Sequence, residues 1–471
     1  MARLISTKVK RASIGAFSEI KTRVQRCARY PRSRNRSGSI GSEVARGGAG
    51  FGASGPATSP VSGRHKDAPH QGRWEETLQT KALPLLAAAF ASIAFGAQAL
   101  DIRAGVLRVD YPALLPISRY DIRPDDLAFA GAMLADEDNA TTGRFLGHSY
   151  ETVTASTAPD MAMAALEEML GTGIRYVVVD AKAPEIAALA ERAAQDGALI
   201  FNSRAPDAAL RSEACHANLL HIAPSNAMMA DAVAQFAIWK QWKRWFLVSG
   251  SNPADRALAD AYRHAAAKFG ATIVEERIFE DTGGARRTDS GHVLVQRQLP
   301  TFLQGAEAHD VVIAADATDY FAAYLPFHLW TPRPVLGSAG LRPVAIHGAH
   351  EAWGATQFQN RFETLTRRHV MDEDFNTWLA LRVLGEAVTR TSSNDPAVIE
   401  DYVLSEDFEL AAFKGQKVTF RPWNGQLRQP ILLYDGRITV SVSPQDGFLH
   451  RVSPLDTLGL DEPESNCTAF E

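Results

Sequence analysis

From Leu100 to Asp316, short runs rich in β-branched and aromatic residues alternate with longer stretches whose apolar residues recur every three or four positions. That alternation specifies an α/β fold, a parallel sheet carrying helices on both faces. Strands are expected at Ile102–Val109, Tyr150–Thr154, Tyr176–Asp180, Leu199–Asn202, Trp245–Ser249, Thr272–Phe279 and Val311–Asp316. Helices are expected at Met161–Leu170, Pro184–Gln195, Ala227–Trp242, Ala254–Phe269 and Thr318–Leu329. Asn252-Pro253, followed by Asp255, is a clear helix start, with a capping side chain, a preset φ and a negative charge at the positive end. The roughly 370 residues after Leu100 exceed what one core usually supports. Two domains follow, with the break at Ile222-Ala223-Pro224-Ser225. Farther on, Phe362–Arg390 and Pro396–Leu404 read as helices, and Val418–Arg421 with Ile431–Tyr434 as a β-ribbon turning at Asn424-Gly425. The tail after Ser453 is turn-rich and is expected on the surface.

In front of this body lies the apolar run Ala82–Ala99, with Lys81 on its flank and Ala97-Gln98-Ala99 at its end. The run is short for a membrane span, which needs about 20 apolar residues, and the small residues at its end suit a signal-peptide cleavage site. Export with a new N-terminus at Leu100 is the expectation. Residues 1–80 carry 15 basic and 5 acidic residues and cannot bury a core. They read as a disordered basic extension: either an arm for nucleic acid or a segment ahead of a translation start close to Leu78. Without them, 34 of the chain's 49 basic and 49 of its 54 acidic residues remain. A body with that net charge of −15 repels nucleic acid and anionic lipid. An oxidising compartment permits Cys215 and Cys467 to pair, which would pin the tail to the body; the alternative is two free thiols.

Enzyme motifs are absent: there is no G-x-S-x-G elbow, Walker loop or H-E-x-x-H, and Gly337-Ser338-Ala339-Gly340 has the wrong spacing for a nucleophile turn. No catalytic residue, cofactor or metal is therefore assigned. His347, His350 and Glu351 come nearest to a metal cluster, but Gly348 and Pro343 argue against the helix that would gather them. Asp136-Glu137-Asp138-Asn139 lacks the glycine and distal acid of a calcium loop and reads as a solvated helix end. Trp239, Trp242 and Trp245 read as core. In open parallel sheets, ligands sit beyond the C-terminal strand ends. The polar residues there are Asp180, Asn202, Ser203, Arg204, Ser249, Ser251, Asn252, Asp316 and Thr318. Each alone serves equally well as a cap or turn former; together they outline a cleft.

The order and length of these elements over residues 101–445 resemble the type 1 periplasmic solute-binding proteins of the branched-chain amino acid kind. Longer stretches resemble the binding proteins of ABC transport systems that accompany pyrroloquinoline-quinone-dependent alcohol dehydrogenases. These are Asp138–Gly147, Asp281–His292, Phe408–Gly415 and Trp423–Pro430, with the terminal Pro463–Cys467. The resemblance implies a clamshell of two Rossmann-like lobes joined by three crossovers, near Pro224, Ile346 and Lys414. Lobe 1 would hold residues 100–223 and 347–414, lobe 2 residues 224–346 and 415–455, and 456–471 would form the tail. It further implies a periplasmic protein that closes on a small polar solute and is met by a membrane ABC permease; a sensor feeding a membrane signalling protein would use the same clamshell. Asp180, Asn202 and Ser203 would form one ligand-binding wall, and Asn252, Asp316 and Thr318 the other. The acid is present at Asp316, but the tyrosine and second acid of amino-acid receptors have no counterpart, so an amino acid is not implied.

Overall fold

The computed structural model describes residues 99–112, 118–119, 122–282 and 289–470. The basic segment 1–80, the apolar run up to residue 98 and residues 283–288 of the Asp281–His292 loop lie outside the described residues.

The first body is built on β1 (Asp101–Val109), α1 (Phe129–Leu146), β2 (Ser149–Thr157), α2 (Ala162–Gly171), β3 (Tyr176–Asp180), α3 (Ala183–Ala194), β4 (Leu199–Asn202) and β5 (Leu219–His221). Its five strands are parallel in the order β2-β1-β3-β4-β5. The second body continues with α4 (Asn226–Trp239), β6 (Arg244–Gly250), α5 (Pro253–Phe269), β7 (Thr272–Phe279), α6 (Asp289–Phe302), β8 (Val311–Ala315), α7 (Leu325–His328), β9 (Val335–Gly337) and β10 (Arg342–Val344). Four of these strands are parallel in the order β7-β6-β8-β9. The chain then returns to the first body with α8 (Ala355–Thr366), α9 (Asp372–Thr391), α10 (Pro396–Leu404), β11 (Leu410–Ala411), β12 (Lys417–Phe420) and β13 (Leu427–Arg428). It ends in the second with β14 (Ile431–Tyr434) and β15 (Thr439–Ser443).

The central strands of both sheets are buried on both faces, which is why they are almost continuously apolar, while the edge strands β2 and β7 are partly exposed and carry polar residues. Along β3, Val177 and Val179 pack toward α2 and α3, while Tyr176 and Val178 face α1 and α9. Along β6, Trp245 and Leu247 pack on α4 and α5, and Phe246 and Val248 on the other face against α6.

Several elements differ from the sequence expectation. Asp136–Asn139 lies in the middle of α1, because that helix packs on α9 through small residues: Gly131 lies against the Asp374 backbone and Gly385 against Asn139. A Cβ at position 385 would stand 2.1 Å from Asn139 Oδ1. Gly385→Ala is therefore expected to cost about 1–3 kcal/mol in urea unfolding, and an unchanged midpoint would show that the helices can move apart freely. Phe362–Arg390 is two helices, not one, broken where Arg367 takes φ 63° and where the Asp374 carboxylate accepts from Arg368 and from the Met371 N–H. Thr318–Leu329 is only a 3₁₀ turn followed by the four residues of α7. β12 pairs with β13 across the Asn424-Gly425 turn, whereas β14 pairs with β10 and β15. Val418, Phe420 and Leu427 sit in the first body's core, so the third passage between bodies falls at residues 428–431, beyond Lys414. Of the three tryptophans only Trp245 is wholly core; Trp239 is 52% exposed. The segment after Ser453 is not superficial, since Leu455, Asp456 and Leu458 are buried. Cys215 and Cys467 are joined in a disulfide that ties this segment to the first body. Among the described residues no helix is long and apolar enough to cross a membrane.

Candidate functional site

The C-terminal ends of the two sheets face a cavity of about 450 Å³, floored by two of the crossing segments, Ala223-Pro224 and Arg342–Val344. Polar groups gather at such strand ends because helix N-termini leave N–H groups unpaired there. In this chain most of the expected polar residues are consumed by that local need.

Asn202 closes a turn: its Oδ1 accepts from the N–H groups of Arg204 (3.0 Å) and Ala205 (2.8 Å), and its Nδ2 donates to the Ala205 carbonyl at 2.8 Å. Nδ2 also lies 3.0 Å from His221 Nδ1. His221 Nε2 is 3.0 Å from the Leu210 carbonyl, so the ring is neutral with its proton on Nε2, and burial holds its pKa well below the usual imidazole range. Asp316 accepts from three successive amides, Tyr320 (2.9 Å), Phe321 (2.7 Å) and Ala322 (2.7 Å), capping the 3₁₀ turn. Burial pushes its carboxyl up, against the pull of those amides. Asn252 caps α5 in a capping box with Asp255, and Thr318 donates to Asp255 Oδ2 at 3.2 Å. Asp180 is fully buried; Arg204 donates to its Oδ1 at 3.2 Å, while Oδ2 has no partner and burial raises its pKa. Ser203 donates from Oγ to the Val179 carbonyl at 3.1 Å. Of the six expected ligand-binding residues, Ser203 alone lines the cavity, beside the Arg204 that orders Asp180.

The rest of the lining comes from helices and crossing segments. The first body contributes Asp372, Glu373 and Asn376 of α9, and the second Met229 of α4, Leu258 and Tyr262 of α5, Ala317, Gly337 and Ser338. Asn376 donates from Nδ2 to the Ser203 carbonyl at 3.0 Å, and its Oδ1 is buried without a partner. Asp372 accepts from the Ile346 N–H at 2.9 Å, and burial pushes its carboxyl up to about 6. Facing them, the Tyr262 hydroxyl has no hydrogen-bond partner among the described residues, and burial raises its pKa. Gly337 takes φ 103° beneath it; a Cβ there would stand 2.4 Å from the Ala314 carbonyl and 2.9 Å from the Tyr262 hydroxyl. The cavity thus sets the unpartnered Asn376 Oδ1 and the Asp372 carboxylate on the first body's wall opposite apolar surface and the Tyr262 and Ser338 hydroxyl groups on the second's. Sequence reasoning missed Tyr262 and Asn376 because each reads as one more residue of an amphipathic helix.

His347, His350 and Glu351 do not converge on a point. His350 Nε2 lies 2.9 Å from the Phe413 carbonyl, and Thr439 Oγ1 bridges His350 Nδ1 and His347 Nε2 at 3.0 Å each. This chain of neutral imidazoles links the second crossing to β15. The described residues contain no group of three or more side chains spaced to hold a metal ion.

The family model described as "Periplasmic binding protein" matches residues 127–292, from just before α1 into the first turn of α6. A search of curated protein sequences gives no significant match. Among solved structures, the chain is similar to a branched-chain amino acid ABC transporter periplasmic ligand-binding protein from Burkholderia xenovorans. That match has 18% identity and a TM-score of 0.60, covering 79% of this chain and 100% of the other. It is also similar to an ABC transporter substrate-binding protein from Desulfitobacterium hafniense in complex with Leu, at 16% identity and TM-score 0.55, covering 72% and 98%. A third is a solute-binding protein from R. palustris in complex with 4-hydroxybenzoate, at 14% identity and TM-score 0.53, covering 71% and 92%. The chain has the α/β fold of the type 1 periplasmic binding proteins, with two parallel-sheet bodies.

Proposed function

We propose that this protein is the periplasmic substrate-binding component of an ABC-type importer, and that it acts by closing on a small polar solute between its two bodies. The observation that carries this reading is the cavity lined from both bodies and floored by the segments that cross between them. A solute favours the closed form only if it touches both walls. Asn376 and Asp372 supply acceptors on one wall, and Tyr262 and Ser338 hydroxyl groups on the other, so the solute carries an N–H or O–H donor at one end and an acceptor at the other. Of the residues expected from sequence, Ser203 is a contact, while Asp180, Asn202, Asn252, Asp316 and Thr318 hold the strand ends in shape. The protein binds rather than turns over its solute. Export through the Ala82–Ala99 run and docking to a membrane permease fit the fold. A tie to quinoprotein alcohol oxidation rests on the four resembling stretches of sequence.

The test is a thermal-shift screen of small metabolites followed by solution scattering. A true ligand raises the melting temperature by mass action and reduces the radius of gyration. Tyr262→Phe should then weaken binding of that ligand by roughly 5- to 30-fold, the worth of about 1–2 kcal/mol for a buried hydrogen bond. Scattering profiles unchanged by a compound that does bind would refute closure.

A further inference from the structure

We propose that the outer face of the first body carries a second ligand site, for a small organic carboxylate with an apolar or aromatic body. The site is a cavity of about 680 Å³ between α1, α8, α9 and the Phe413 segment, and it shares no residue with the cavity between the bodies. It is made by two of the stretches that stand out in the sequence, Asp138–Gly147 and Phe408–Gly415, which contribute nothing to that other cavity.

The charge balance of the lining favours an anion. Arg361 pairs with Asp138, whose second oxygen accepts from Trp378 Nε1 at 2.9 Å, so that carboxylate is satisfied. Arg144 donates from Nε to the Ala140 carbonyl at 3.1 Å, and Arg382 donates to the Asn139 amide oxygen; both acceptors are neutral. Neither guanidinium has a carboxylate within 4.0 Å among the described residues, and Glu137 is the one remaining acid in the lining. Two cations against one anion leave room for a carboxylate, which a guanidinium fork grips through two parallel hydrogen bonds.

The body of such a ligand meets Trp378 and Phe413. Phe413 is held at φ 57°, in the left-handed region that a bulky residue rarely adopts. Its ring lies 5.7 Å from Trp378 and 5.4 Å from Phe358, and its carbonyl accepts from His350 Nε2 at 2.9 Å. That conformation costs about 1–3 kcal/mol and persists only because the surroundings enforce it. Its effect is to set an aromatic ring in the cavity beside the unpaired arginines, where ring stacking and cation–π attraction add to the ion pair.

The test is calorimetric titration of the full chain with sodium benzoate. Saturable binding is expected, weakened tenfold or more in Arg144→Glu, largely retained in Arg144→Lys, and unchanged in Arg204→Ala, which alters the other cavity. Phe413→Gly, which relieves the backbone strain, is expected to keep the fold by circular dichroism while weakening benzoate binding. The proposal is overturned if benzoate shows no saturable binding in the millimolar range, or if Arg204→Ala abolishes binding that Arg144→Glu leaves intact. The proposal does not depend on closure of the two bodies, so a failed metabolite screen would leave it standing and a failed benzoate titration would not touch that reading.

Discussion

Raising the pH from 7 to 9 is expected to stabilise the folded chain by about 2 kcal/mol, and Lys414→Met is expected to abolish that gain. Lys414 is buried, 1% exposed, with its ammonium 5.1 Å from the centre of the Phe375 ring and its Nζ donating to Gln429 Oε1 at 2.5 Å. Burial pushes its pKa from 10.5 down to about 7; Asp372 is the opposite charge working against that fall, and neutral His350 lies nearby. Between those two pKa values the unfolded chain holds a proton that the folded chain has released, so stability rises with pH. A full proton difference is worth about 1.4 kcal/mol per pH unit; because the folded lysine is only half deprotonated at pH 7, the gain over two units is about 2 kcal/mol. Below pH 7 both states are protonated and the full cost of the buried charge is present. Asp372 and Asp231, both pushed up to about 6, complete their titration largely below this window. Arg211, pushed down to about 9, enters at its upper edge in both proteins, so the difference between them isolates Lys414. Urea unfolding at pH 7, 8 and 9 reads the effect, and parallel profiles for the two proteins would remove Lys414 as its source. The residue lies where the crossing segments meet. Gln429 passes the contact on to the Ile222 carbonyl at 2.7 Å, and Asp372 holds the Ile346 N–H, so one network touches all three segments.

Asp456→Ala is expected to cost about 3–5 kcal/mol, because it would strand two buried cations. The Asp456 carboxylate accepts from Arg421 Nε at 2.9 Å and from Arg428 Nε at 2.7 and 3.0 Å, and its side chain is fully buried. Arg421 also donates to the carbonyls of Leu455, Leu458 and Leu460, so the pair fastens the C-terminal segment to β12 and β13. Burial already lowers the Arg421 pKa, with Asp456 the main opposing influence. Taking that carboxylate away leaves the desolvation without its compensation. Denaturant unfolding of the variant measures the loss; a cost under about 1 kcal/mol would mean that water reaches the site.

The central strands were legible because burial on both faces tolerates almost nothing but apolar residues. Tyr176–Asp180 and Val311–Ala315 fall where the hydrophobic runs place them. α1 was not legible, since a helix that packs through Gly131, Ala132, Ala135 and Gly143 shows no apolar stripe. The break between α8 and α9 was hidden for a related reason. The Asp374 carboxylate that organises it is satisfied by Arg368 and by the distant Ala128 N–H, and no local pattern announces those bonds.

By itself, the amino-acid sequence determined two series of βαβ units and the direction in which their strand ends point, because hydrophobic periodicity is a local property that burial reads directly. Tertiary structure alone decided which polar groups remain available there. Asn202 and Asp316 are spent on nearby backbone N–H groups and Asn252 donates from Nδ2 to the side chains of Asp281 and Thr318, whereas Tyr262 and Asn376, distant in sequence from each other and from Ser203, come together across the cleft. The physical reason is that a polar side chain takes the nearest partner first. Only the packed chain settles which side chains have none within reach.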